Sequence, residues 1–209
     1  MQNKKINQKL VGKDFVHIGI YSILIIVVFF VVSLPFFLFK AVTFPFEGGT
    51  CALFTAPIFM LMTYKVAKRG TILLSSTVIG LFTAFTTGYV HLIPFGILTG
   101  LLCEAVMWKQ GSYRSLWHNA TCFSIFSALL YTLSTLLPIY LFGTEYYLSL
   151  NSASSATVYI QYALSPLLMT TTVAITIIMA IAGCLIGQRM LKKHFIKSGL
   201  ISSEGPVAA

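Results

Sequence analysis

Long apolar runs separated by short polar stretches dominate this chain, in place of the three- to four-residue alternation that marks an amphipathic soluble helix. The first run, 15 to 39, follows the basic stretch MQNKKINQKLVGKD. At about 25 residues it exceeds a signal-peptide core, so it predicts a retained first helix. Further runs over 51–64, 71–87, 92–108, 117–142 and 165–190 predict helices two to six. Between the first two lies AVTFPFEGGT, 41 to 50, where Pro45 and the Gly48-Gly49 pair break helical continuity while the aromatics keep it apolar. It reads as an outer loop or a partly inserted cap. The longest polar segment, GTEYYLSLNSASSATVYIQY, 143 to 162, reads as an outer loop.

Composition changes the solvent. With 57% hydrophobic and 9% charged residues among 209, and a mean hydropathy of +0.87, the chain belongs with proteins dissolved in lipid. The expected fold is an all-α membrane protein, a six-transmembrane-helix bundle. A basic N-terminus (1–14), the bundle (15–192) and a C-terminal tail (193–209) make up the chain. Thirteen of the fourteen Lys and Arg then fall on one side, Lys40 being the exception. The positive-inside bias makes both termini cytoplasmic. A net charge of +9 distributed in this way reflects insertion topology and argues against nucleic acid as a partner.

The outer segments, by contrast, are poor in charge and rich in rings. Six of the ten tyrosines fall there, and the clustering has two readings: an interfacial aromatic belt, or the wall of a ligand pocket. Under the second reading Phe46, Tyr89, Tyr140, Tyr146, Tyr159 and Tyr162 stack on a planar ligand. Glu47, His91, Glu145, Asn151 and Gln161 fix its polar groups. Many rings and few charges favour a flat, largely uncharged ligand.

Catalytic constellations are missing from the sequence. It contains no GxSG serine motif, no HExxH, no CxxC pair and no GxxxxGK[ST] loop. The expectation is therefore a non-enzyme that uses no cofactor or metal and cannot itself hold ATP by a Walker loop. Cys51, Cys103, Cys122 and Cys184 read as small core hydrophobes.

One carboxylate, Glu104, falls inside a predicted span. Gly96, Gly100, Glu104 and Trp108 recur every four residues, so they share a stripe of helix four, and GILTG is a small-xxx-small element that admits a close neighbour. GCLIG, with Gly183 and Gly187 on helix six, is a second such element and a candidate packing partner. At about 1.5 Å per residue, Glu104 lies roughly 7 Å from the inner end at Lys109. His17, His118, Asn119, Arg69 and Arg114 are candidates to pair with it. A structural or coupling role near the cytoplasmic face, the floor of a ligand cavity and a proton relay remain open for it.

Two stretches carry a resemblance, CEAVMWKQGSYRS and GCLIGQRMLKKHFIKSGLI. Both resemble the Trep_Strep family of bacterial integral membrane proteins, which is grouped with the substrate-binding S components of energy-coupling factor (ECF) transporters. The resemblance implies six helices in the bacterial cell membrane and an outer pocket for a vitamin or similar micronutrient. That pocket would be built from the outer loops and helices four to six. It also implies partnership with a transmembrane coupling subunit driven by two ATPase subunits. Better-known S components dock through AxxxA on helix one, whereas this helix offers HIGIYSIL, with Gly19 and Ser22 as the small residues. The competing classes are a self-contained proton-coupled transporter using Glu104 and a non-transport accessory subunit.

Overall fold

In the computed structural model, which describes residues 10–109 and 111–196, every regular element is helical. Helix α1 spans Gly12–Leu38, α2 Lys40–Val66, α3 Thr71–Thr87 and α4 Leu92–Val106. Next, α5 (Leu116–Ser127), a π-helical turn (Ala128–Leu133) and α6 (Ser134–Leu136) form one rod. The short helices α7 (Pro138–Leu150) and α8 (Ala153–Leu164) follow, and α9 (Pro166–Met190) closes the bundle, continuing as a π-helical turn to Ile196. Lys4, Lys5, Lys9, Lys197 and most of the expected tail lie outside the described residues.

Among the described residues four stretches are long and apolar enough to cross a bilayer: Gly12–Phe36, Thr43–Val66, Leu116–Leu136 and Pro166–Lys193. Helices α3 and α4 are apolar but shorter, at 17 and 15 residues. Val16, Ile20, Ile23, Val27, Val31 and Leu34 all lie exposed along α1, an arrangement that water penalises and lipid does not. The interior is a cluster centred on Phe59, Phe123, Phe126 and Met60, with Cys103, Cys122 and Cys184 buried in it and Cys51 buried nearby. The reading of the cysteines as core residues holds.

The 41–50 segment overturns its sequence reading. It is helical, and α2 runs unbroken from Lys40 through Pro45, Gly48 and Gly49. The two glycines are places of close approach. A Cβ on Gly48 would stand 2.6 Å from Thr132 Oγ1, and one on Gly49 3.2 Å from Ile175 and Met179 side-chain carbons. The α2–α9 contact, the most extensive in the bundle, stabilises a helix that glycine alone would weaken.

Helix five also ends earlier than its apolar run, at Leu136 instead of Phe142, because Pro138 has no N–H with which to extend it. Proline opens α7 instead, at a position where the missing donor costs nothing. The 143–162 segment is thus no open loop. Tyr147 and Tyr159, from α7 and α8, pack with Phe44, Leu136 and Ile139 into a second apolar cluster that covers one end of the bundle.

At the other end the basic residues converge. Lys68 forms an ion pair with Asp14, joining the end of α2 to the start of α1. The Arg69 guanidinium donates to the Trp108 carbonyl at 2.8 Å and stacks over the Trp108 ring at 4.4 Å. Trp108 therefore leaves the four-residue stripe, since α4 ends at Val106.

Candidate functional site

Beneath the α7–α8 cover lies a cavity of about 210 Å³, with a smaller one of about 70 Å³ adjoining it. Its walls come from four long elements and the cover. From α1 come Ile25, Ile26, Phe29 and Phe30, and from α2 Glu47. From α3 come Ile79, Thr83 and Thr87, and from the rod Leu130, Tyr131, Ser134 and Thr135. Tyr89, Leu92, Leu150, Asn151 and Tyr159 close the top. The smaller cavity shares Phe29, Glu47, Tyr131, Thr135 and Tyr159 and reaches Thr172 of α9.

Local sequence explains the shape. Gly88, at φ +78°, accepts the left-handed turn that ends α3 and aims Tyr89 back over the cavity. The Tyr89 hydroxyl donates to Asn151 Oδ1 at 2.6 Å, so one bond joins the α3–α4 turn to the α7–α8 turn. Burial raises the Tyr89 phenol above its ordinary value, which keeps the proton that this bond needs.

Four of the eleven residues expected at the pocket line it: Glu47, Tyr89, Asn151 and Tyr159. The other seven lie elsewhere. Phe46, Glu145 and Gln161 are exposed, because the helical phase of α2, α7 and α8 turns them outward. Tyr140 is also largely exposed and donates to the Ala163 carbonyl. Tyr162 packs edge-on against Phe44. His91 and Tyr146 stand just outside the wall.

His91 has a specific duty there. The carbonyl of Ser134 loses its helical donor because residue 138 is proline, and His91 Nε2 approaches that carbonyl at 2.9 Å. A carbonyl only accepts, so Nε2 carries the hydrogen and Nδ1 accepts from the Tyr146 hydroxyl at 3.1 Å. Burial holds the imidazole below its ordinary value, consistent with this neutral tautomer.

Sequence reasoning missed Phe29, Phe30 and Tyr131. It sought the pocket in outer loops, whereas these rings sit well inside apolar runs. A signal did exist, since a phenol in the middle of a span must find a polar partner. Tyr131 finds one in Thr55, at 3.2 Å. The pocket implied by helices four to six does draw on the rod, which is the expected helix five, and on Leu92 of α4, but it adds walls from α1, α2 and α3.

Glu104 does not line the cavity. Its Oε1 accepts the Ile72 N–H at 2.9 Å and the Leu73 N–H at 3.4 Å, and its Oε2 accepts the Tyr113 hydroxyl. Ile72 and Leu73 belong to the first turn of α3, whose N-cap is Gly70 and has no side chain to offer. A carboxylate from α4 therefore caps α3 across the interface, and the helix dipole favours its charge. Burial and the adjacent carboxylate push the Tyr113 phenol up, so it remains a donor. Of the expected partners, Asn119 bonds to Thr63 Oγ1 and to the Tyr113 and Ser115 carbonyls, Arg69 to Trp108, and His118 to Ser115.

The glycine stripes pair otherwise than expected. Gly96 and Gly100 face α3, with Gly80 Cα 3.1 Å from a Cβ placed on Gly96. Gly183 and Gly187 face α2 at Leu53, Ala56, Pro57 and Met60. Ser22 is buried and hydrogen bonds Ser75 at 2.8 Å, whereas a Cβ on Gly19 would meet nothing within 4 Å.

No curated protein and no solved structure matches the chain. A family described as hypothetical bacterial integral membrane protein (Trep_Strep) matches residues 12–197, and with the lipid-facing helices this shows that the chain belongs to the Trep_Strep family of integral membrane proteins.

Proposed function

We propose that this chain is the membrane-embedded S component of an ECF-type importer, with six crossings and both termini cytoplasmic in a bacterial cell membrane. It captures a vitamin or similar micronutrient at the outer face. A transmembrane coupling subunit with two separate ATPase subunits then drives delivery inward.

The observation that carries this reading is the ring-lined cavity of about 210 Å³ at the end of the bundle away from the converging basic residues. Under the positive-inside rule that end faces outward. The size suits a ligand below drug size, whose usual pockets start near about 300 Å³. The sequence lacks a Walker loop, so uphill transport requires an external source of energy. The open surface of α1 around Gly19 gives a coupling subunit a place to dock. A self-contained proton-coupled mechanism is less well supported, since Glu104 is committed to the α3 N-terminus and lies off the cavity wall.

Mass spectrometry of small molecules retained by the purified protein tests the reading, together with uptake of the compound found. We expect a stoichiometric ligand, and uptake only in cells that also express the coupling subunit and ATPases. An empty bundle, or uptake by this chain alone, would overturn the proposal.

A further inference from the structure

The hydrogen-bond pattern of the cavity wall identifies the charge class of what it holds. Thr83 Oγ1 donates to the Ile79 carbonyl, Thr87 Oγ1 to the Thr83 carbonyl and Ser134 Oγ to the Leu130 carbonyl, at 2.6 to 2.7 Å. The Tyr89 hydroxyl gives its hydrogen to Asn151. Thr55 donates to the Cys51 carbonyl at 2.7 Å, so Tyr131, 3.2 Å away, is the donor in their mutual bond. Each of these oxygens has one hydrogen and two acceptor positions, and the hydrogen is already committed within the protein. What they present inward is lone pairs, one of those on Thr87 being taken by the Tyr89 N–H.

The charged and aromatic groups of the wall have the same sign. Among the described lining residues Glu47 is the one carboxylate, and none is Lys, Arg or His. Phe29, Phe30, Tyr89, Tyr131 and Tyr159 contribute rings whose faces are electronegative. An anionic ligand would meet a carboxylate, ring faces and acceptor oxygens, with no cation among the described lining residues to offset them. A cation bearing N–H groups would find acceptors, ring faces and an opposite charge together.

We infer that the cavity binds a small organic cation with at least one N–H donor, a protonated amine or protonated nitrogen heterocycle. The assignment takes the cavity to be the ligand site proposed above and replaces the largely uncharged ligand expected from ring content alone.

Three probes of similar size and opposite charge test it on the purified full-length protein: benzylammonium, benzyl alcohol and benzoate, titrated by calorimetry and by thermal shift. We expect benzylammonium to bind roughly tenfold more tightly than benzyl alcohol, and benzoate not to bind. Glu47→Gln should reduce the preference for the cation to about threefold or less, while Glu145→Gln, on the exposed face of α7, should leave it intact. Equal or tighter binding of benzoate or benzyl alcohol to the wild-type protein would overturn the cation assignment and leave the cavity as a ligand site. Failure of all three to bind would overturn both. The wild-type comparison decides the matter even if Glu47→Gln does not fold.

Discussion

Glu104 illustrates how a single residue takes its role from what surrounds it. A carboxylate inside an apolar run invites a role in transport, because intramembrane charge is costly and is usually kept for function. Here both oxygens are occupied at the basic end of the bundle, bonded to the first turn of α3 and to Tyr113. The four-residue spacing in the sequence places Glu104 inward and near Lys109. It does not reveal that Gly70 leaves the α3 N-terminus uncapped across the interface. Glu104→Gln keeps the shape but loses the charge and replaces one acceptor by an amide that donates. We expect it to destabilise the fold by about 1 to 3 kcal/mol, measured by unfolding in detergent. Benzylammonium affinity should change by less than about threefold. A large loss of affinity at unchanged stability would instead tie Glu104 to the ligand.

At the level of elements, small residues divide into those that close an interface and those that leave one open. A Cβ on Gly96 would stand 2.7 Å from the Ser76 carbonyl oxygen and 3.1 Å from Gly80 Cα, both backbone, so neither yields easily. Gly96→Leu should separate α3 from α4 and lower the yield of folded protein. At Gly19 nothing lies within 4 Å, and Gly19→Leu should leave folding and benzylammonium binding unchanged. It should block capture by the coupling subunit, which co-purification measures, and undiminished assembly would remove Gly19 from the docking surface. Most helix boundaries followed from hydropathy: α3 spans 71–87 in both the expectation and the structure. The misplaced boundaries share a cause. Gly48-Gly49 and Pro45 resemble helix breakers locally, but packing of α2 against α9 and Thr132 outweighs their weak propensity.

For the whole molecule, the central feature is a cavity whose roof is fastened to its wall. Helices α7 and α8 cover one end of the bundle, and the Tyr89–Asn151 hydrogen bond ties that cover to the turn after α3. If this bond holds the roof in place, removing it should hasten escape of a bound ligand more than it slows entry. Tyr89→Phe keeps the ring and loses the bond. We expect benzylammonium to dissociate roughly five- to tenfold faster with little change in association, as measured by stopped-flow displacement; an unchanged off-rate would mean that the roof is held by apolar packing alone. Only part of this site was legible beforehand. Tyr89, Asn151, Glu47 and Tyr159 follow from an aromatic, polar cluster in the outer segments. Phe29 and Phe30 do not, because their neighbours along the chain are as apolar as they are, and Tyr131 lies inside a predicted span and away from the outer segments.

The sequence by itself determined the solvent, the helical class, most helix ends, the segregation of positive charge and the inward direction of Glu104. Each of these depends on properties that short stretches carry with them: hydropathy, length, charge and four-residue spacing. Only the tertiary structure decided which glycine stripe meets which, that 41–50 and 143–162 are helical, and where the cavity lies. It also decided that the Tyr89 and Tyr131 hydroxyl hydrogens are committed to Asn151 and Thr55, and that His91 serves the carbonyl left without a donor by Pro138. These relations join residues on different helices, from Gly80 with Gly96 to Ala56 with Gly183, and are set by which surfaces fill one another's gaps, which the local pattern along the chain does not encode.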